Sequence, residues 1–213
     1  MGTFVEFNIP VDDEDSVKMD KALKAAEERI AQIEGRLSIF NPSSEVFKIN
    51  SDNEKKYLKP SYDIYFLVKK SKEYFLATNG TFDITVAPLT EVWGFGSKKA
   101  SHPDPKDIIE LLGHVGLDKI ELDKNESALI FKAPDISLDF GGIAKGYAVD
   151  ETVKILKKYG IDKGIVNIGG DLFCIGSNQV DEPWTVGIRD PGSKANTIAS
   201  IKLEDMAVAT SGG

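Results

Sequence analysis

The chain has 213 residues, a formal net charge of −8 and 41% hydrophobic residues, enough to bury a sizeable core. The acidic balance excludes a nucleic-acid-binding surface, where phosphate neutralisation supplies affinity, so a small anionic ligand needs a local positive site or a metal ion. No apolar run approaches the roughly 20 residues that span a bilayer, and the only cysteine, Cys174, sits in the apolar run Leu172 to Ile175 without an internal disulfide partner.

Residues 3–9 read as a strand, with no signal peptide before it. Pro10 and the acidic run Asp12 to Asp15 then introduce a long helix to about Gly35, with Leu23, Ala26, Ile30, Ile33 and Leu37 as its apolar stripe. Ser61 caps a second helix whose buried face is Ile64, Leu67, Val68, Ser71 and Phe75, and Asn79-Gly80 ends it. Gly80 to Val86 reads as a turn into an extended segment, Pro88 to Trp93 as a short helical piece, and Asp104-Pro105 as the cap and first turn of a helix through Leu112. Ile120 to Leu122 and Ala128 to Lys132 flank a polar turn and predict a hairpin, followed by a strand at Ile136 to Leu138.

That strand runs into DFGGIAKGYAVD, Asp139 to Asp150, the segment richest in chemistry. Gly141 and Gly142 let a ligand approach the backbone, the new helix offers unpaired N–H groups, and Lys145 adds a charge that reaches a phosphate. The competing reading is a strand-to-helix corner with a solvated lysine. Gly141 and Gly146 have the outer spacing of a P-loop, but Tyr147 and Ala148 stand where Lys and Ser/Thr are required. Gly94-Phe95-Gly96 lacks the third glycine of a dinucleotide fingerprint and reads as a plain turn. The helix after the corner stops at Gly160. Strands follow at Gly164 to Ile168, Leu172 to Ile175, Trp184 to Ile188, Ile198 to Leu203 and Met206 to Ala209, with a tight turn at Gly169-Gly170-Asp171. The expectation is an α+β fold, a mixed or antiparallel sheet with helices packed on one side, in a single domain over 1–213 with a loose lobe boundary near Pro134. His102, beside Pro103, and His114, beside Gly113, read as solvated or capping groups, which leaves a hydrolytic triad without a base.

Eight blocks occur in order: Met1-Gly2-Thr3, Ser38-Ile39-Phe40-Asn41 with Ser44-Glu45 and Ile49-Asn50, Gly80-Thr81-Phe82-Asp83, Trp93-Gly94-Phe95-Gly96, DFGGIAKGYAVD, Asn167-Ile168-Gly169-Gly170-Asp171, Trp184 to Ile188, and Ala209-Thr210-Ser211-Gly212. Together they make the chain resemble the ApbE-type FAD:protein FMN transferases along nearly its whole length.

The resemblance implies that FAD is bound with magnesium (Mg2+), its pyrophosphate cleaved, and FMN attached through a phosphoester to a Thr or Ser of an acceptor flavoprotein, with AMP released. Some members instead hydrolyse FAD to FMN and AMP. By this likeness Met1 and Phe40 contact the flavin ring, Thr81, Phe82 and Asp83 form an FAD-contacting segment, Asp139 and Lys145 contact FAD, and the Gly142 carbonyl ligates the metal. Core packing for Phe40 and an Asp-stabilised turn at Asp83 are the structural alternatives. No residue is assigned a catalytic role. Family members continue past the Thr-Ser-Gly element into a segment supplying acidic metal ligands, so the chain is expected to be C-terminally truncated, with Asp171 a conceivable substitute ligand. The likeness further implies a parent protein on the periplasmic side of a bacterial envelope, held by a lipid anchor outside this sequence. A non-catalytic FAD-binding module, and an interaction protein whose ligand site has decayed, are the competing classes.

Overall fold

The computed structural model describes residues 2–10, 16–95 and 102–210, with the side chains of 193–195 outside that description. In chain order the elements are β1 (Val5–Asn8), α1 (Ser16–Leu37), α2 (Glu45–Ser51), β2 (Tyr57–Leu58), α3 (Tyr62–Ala77), α4 (Ala87–Val92), α5 (Pro105–Leu112), β3 (Ile120–Asp123), β4 (Ala128–Phe131), α6 (Ala144–Lys158), β5 (Gly164–Ile168), β6 (Asp171–Ile175), β7 (Trp184–Asp190), β8 (Ser193–Leu203) and β9 (Met206–Ala209). The α+β class holds, and every ladder among the described residues is antiparallel. Instead of one sheet, the described residues form three, ordered β1-β5-β6-β9, β2-β4-β3 and β7-β8. The chain divides into two compact units, Met1–Ala31 with Lys145–Gly213, and Gln32–Ala144.

In the first unit β5 is central, pairing Val166 with Phe7 on one side and Phe173 on the other. Its alternating burial leaves Val166 and Ile168 fully buried, as a strand with one covered face requires. The turn from β5 to β6 has two residues, Gly169 (φ +59) and Gly170 (φ +93), the doubly positive conformation of the tight hairpins that glycine adopts without penalty. Met19, Ala22, Ala26 and Ile30 bury one stripe of α1, while Leu23 of the expected stripe is half-buried. Tyr147, Ala148, Val149, Val153 and Leu156 bury a stripe of α6. Arg29 joins these helices, donating to Glu151 at 2.8 Å and to the Tyr147 hydroxyl at 3.0 Å. Burial pushes the Glu151 carboxyl up, but Lys154 and Arg29 outweigh it and hold the group below its usual range.

In the second unit α2, absent from the sequence expectations, is capped by Ser44, whose hydroxyl accepts from Phe47 N (3.1 Å) and donates to Ser38 O (2.6 Å). The buried face of α3 is Ile64, Leu67, Val68 and Ser71, as expected, joined by Asp63, which accepts from Arg36 at 2.6 Å. Phe75 is only half-buried. Ser61 occupies the cap position, yet its hydroxyl makes no cap bond; its backbone N–H donates instead to Glu45. The helix ends where Asn79 and Gly80 take positive φ and Gly80 N reaches back to Phe75 O at 2.8 Å. The β3–β4 hairpin and the Asp104 cap on α5 occur as expected.

Two expected extended elements are corrected. Gly80 to Val86 is a run of turns, because Asp83 ties the backbone into a local bend through Thr85 N at 2.7 Å. Ile136 to Leu138 is extended but joins no sheet: the Asn50 side chain substitutes for a neighbouring strand, accepting from Leu138 N at 2.8 Å and donating to Leu138 O at 2.9 Å.

Candidate functional site

The glycine corner is assembled from the residue upward in the second unit. Asn50 fixes Leu138, and Asp139 N then donates to Ile84 O at 2.7 Å, which lays the corner beside the Gly80–Val86 turns. The Asp139 carboxylate accepts from Gly141 N at 2.8 Å, folding the chain back on itself. Ile143 N and Ala144 N both reach Phe140 O, at 2.9 and 2.8 Å, and so open α6. Gly141 and Gly142 are exposed. A Cβ on Gly142 would sit 3.3 Å from the Phe82 ring, a close approach that glycine accommodates without moving the ring. Two of the quoted blocks, around Phe82 and around Gly142, therefore meet.

Phe82 packs edge-on against Tyr74, with ring centroids 5.8 Å apart. Thr81 is exposed and its hydroxyl donates to Thr78 O at 2.6 Å. Asp83 is committed inwards: one carboxylate oxygen accepts from Thr85 N and Thr85 Oγ1 (2.7 and 2.6 Å), the other from Leu117 N (3.1 Å). These bonds make a stabilised turn. Phe40 is 78% exposed, so it is not packed in a core among the described residues.

In the first unit a separate group of the quoted blocks comes together. Lys145, three positions beyond Gly142, donates to Asp171 Oδ1 at 3.1 Å and to Gly169 O at 3.2 Å, so it is neither idle nor merely solvated. The Gly169–Gly170 turn is braced from two further directions. A Cβ on Gly169 would lie 2.4 Å from Thr3 Oγ1, and Gly170 O accepts from both Thr210 N and Thr210 Oγ1 at 3.1 Å. Asn167 Oδ1 accepts from Gly170 N at 3.1 Å. Three blocks far apart in sequence, at Thr3, Asn167–Asp171 and Thr210, thus converge with Lys145. Met1, Gly96, Ser211 and Gly212 lie outside the described residues.

Among the described residues no group of three or more His, Cys, Asp or Glu side chains is placed to hold a metal. Asp83, Asp139 and Asp171 each spend carboxylate oxygen on the chain itself. With no such group beside the Gly142 carbonyl, the described residues do not by themselves fit magnesium, which favours several hard oxygen ligands in octahedral array. His114 Nδ1 bonds Asp135, and His102 meets the Trp93 ring edge-on. The pairing of Lys145 with Asp171 and the strand-like role of Asn50 were missed from sequence; both residues stood in the quoted blocks, but their partners lie 26 and 88 positions away.

The ApbE family model matches residues 1–213. An FAD:protein FMN transferase of Haemophilus influenzae is 29% identical over 219 residues, covering 100% of this chain and 63% of the relative. One from Escherichia coli K12 is 27% identical, covering 100% and 61%. The chain thus spans about three fifths of the length of these curated relatives. Among solved structures, the ApbE protein of Thermotoga maritima superposes with a TM-score of 0.82 at 32% identity, covering 91% of this chain and 62% of that one. The flavin transferase ApbE of Vibrio cholerae gives 0.85 at 25% identity, covering 100% and 69%. With a family match that runs through every block assembled above, the chain belongs to the ApbE family.

Proposed function

We propose that these residues are the FAD-binding part of an FAD:protein FMN transferase and act as a single α+β domain. A Thr or Ser hydroxyl of an acceptor flavoprotein attacks the phosphorus on the FMN side of FAD. The bond from that phosphorus to the bridging oxygen breaks, AMP leaves with the electron pair, and the hydroxyl proton passes to solvent. Exposed Gly141 and Gly142 present backbone to the diphosphate, with Asp139 shaping the turn. Lys145 supplies positive charge, Thr81, Phe82 and Asp83 form the neighbouring wall, and Phe40 with Met1 receives the flavin ring. Magnesium belongs to this proposal as a requirement of the complete protein, with the Gly142 carbonyl as one ligand. A periplasmic, lipid-anchored parent is part of the same proposal; no described helix is long and apolar enough to cross a membrane.

The observation that carries the reading is the corner itself: an exposed glycine pair entering a helix whose first turn holds a lysine, in a chain matched to the ApbE family throughout. The test is incubation with FAD, magnesium and a Thr-bearing acceptor, following AMP by chromatography and acceptor mass. AMP with flavinylated acceptor is the expected result. AMP with free FMN points to a pyrophosphatase, and FAD binding without cleavage, in this chain and in a longer one, points to a binding module. Absence of FAD binding in both would sink the proposal.

A further inference from the structure

We infer that Asp171 is a positioning residue for Lys145, holding its ammonium in place before the ligand arrives, an inference that rests on the flavin-dinucleotide reading above. Lys145 Nζ lies 3.1 Å from Asp171 Oδ1 and 3.2 Å from Gly169 O. The two side chains are 30% and 20% exposed, so the pair is partly withdrawn from water and less screened than a surface contact. An ammonium has three N–H donors, and two acceptors on the chain leave the third for an incoming phosphate oxygen. Lysine is rich in rotamers; fixing it beforehand removes that ordering cost from the binding step.

The mount for this carboxylate is rigid. Asp171 begins β6, where it is paired with Ile168 on one side and Ala209 on the other. The preceding turn is pinned by Asn167 and Thr210 through Gly170. A carboxylate so placed has two opposing influences on an anion: it fixes the ammonium, and it repels the phosphate. The bond to Gly169 O favours fixation, since the same geometry is enforced by a neutral acceptor that adds no repulsion.

FAD titration by flavin fluorescence separates these effects in wild type, Asp171→Asn, Asp171→Ala, Lys145→Met and the Asp171→Ala/Lys145→Met double variant. A second readout needs no flavin: the acetylation rate of Lys145 by a water-soluble acylating reagent, followed by peptide mass spectrometry. Asp171→Ala is expected to weaken FAD binding about tenfold, while Asp171→Asn, whose amide oxygen still accepts, stays within about threefold of wild type. In the Lys145→Met background Asp171→Ala should change nothing further, because a residue acting through Lys145 has no effect without it. Acetylation of Lys145 should quicken about fivefold in Asp171→Ala, as a lost charge-assisted bond frees the amine. Tighter or unchanged binding in Asp171→Ala, an undiminished effect in the Lys145→Met background, or an unchanged acetylation rate would each overturn the inference. Wild type that binds no FAD removes the flavin reading and the ligand half of the inference with it, while acetylation still decides whether Asp171 holds Lys145. Asp171→Ser replaces Asp171→Ala if circular dichroism shows the latter unfolded.

Discussion

Asn50 shows how much can rest on one side chain. Its amide serves both backbone groups of Leu138, a fully buried residue, just before the glycine corner. Asn50→Ala strands an N–H and a C=O, each costing about 1–3 kcal/mol when buried, so urea unfolding should show a loss of about 2–6 kcal/mol. Asn50→Asp keeps the acceptor but not the donor and should fall between. Glu151 gives a pH prediction. Its carboxyl is held low in the folded chain by Lys154 and Arg29 against the upward push of burial. A depressed carboxyl stabilises the fold above its unfolded pKa of about 4.3 and loses that contribution as pH falls through the folded value. Glu151→Gln should therefore melt below wild type at pH 7, and the gap in thermal midpoint should close below about pH 4.

Among the elements, what was legible in sequence is what local chemistry decides. Asp104 and Pro105 mark the start of α5 by themselves, and the Asp104 carboxylate accepts from Lys106 N as its type and position require. The apolar stripes of α3 and the hairpin β3–β4 follow from periodicity in the same way. The strand-like stretch before Asp139 carries the apolar pattern of a strand, but its hydrogen-bond partner is a side chain remote in sequence, which no local pattern reveals. The corner residues were likewise legible as a set, whereas the commitment of Asp83 to Leu117 N and of Lys145 to Asp171 depends on where other segments arrive. Helix α2 escaped notice because seven residues with Val46 and Ile49 buried make too short a period to stand out, although Ser44 marks its cap. Ser44→Ala should cost about 1–2 kcal/mol in chemical denaturation, since a buried hydroxyl that caps α2 also serves Ser38 O. Gly176 closes β6 at φ +52, where a Cβ would stand 2.4 Å from Asp162 O. Gly176→Ala should lose at least about 1–2 kcal/mol, since the left-handed conformation alone costs that much for a residue with a Cβ.

For the molecule as a whole, the buried Cys174 is a built-in reporter. Burial pushes its thiol up, so little thiolate exists near neutral pH and no water reaches the sulfur. Thiol-reactive dye should label it slowly in buffer and rapidly in urea, with the rate tracking the opening of the unit that holds β5 and β6. Fast labelling of the native chain would mean that this core is looser than its burial indicates.

Thr3 and Thr210 both close upon the Gly169–Gly170 hairpin, so the path of the backbone almost completes a ring. Ligating the chain near those two threonines through a short flexible bridge would convert that near-ring into a covalent one. The circularised product should outlast its linear parent on heating, because the constraint falls mainly on the denatured ensemble. New ends opened in an exposed loop elsewhere would then give a permuted polypeptide with the same fold.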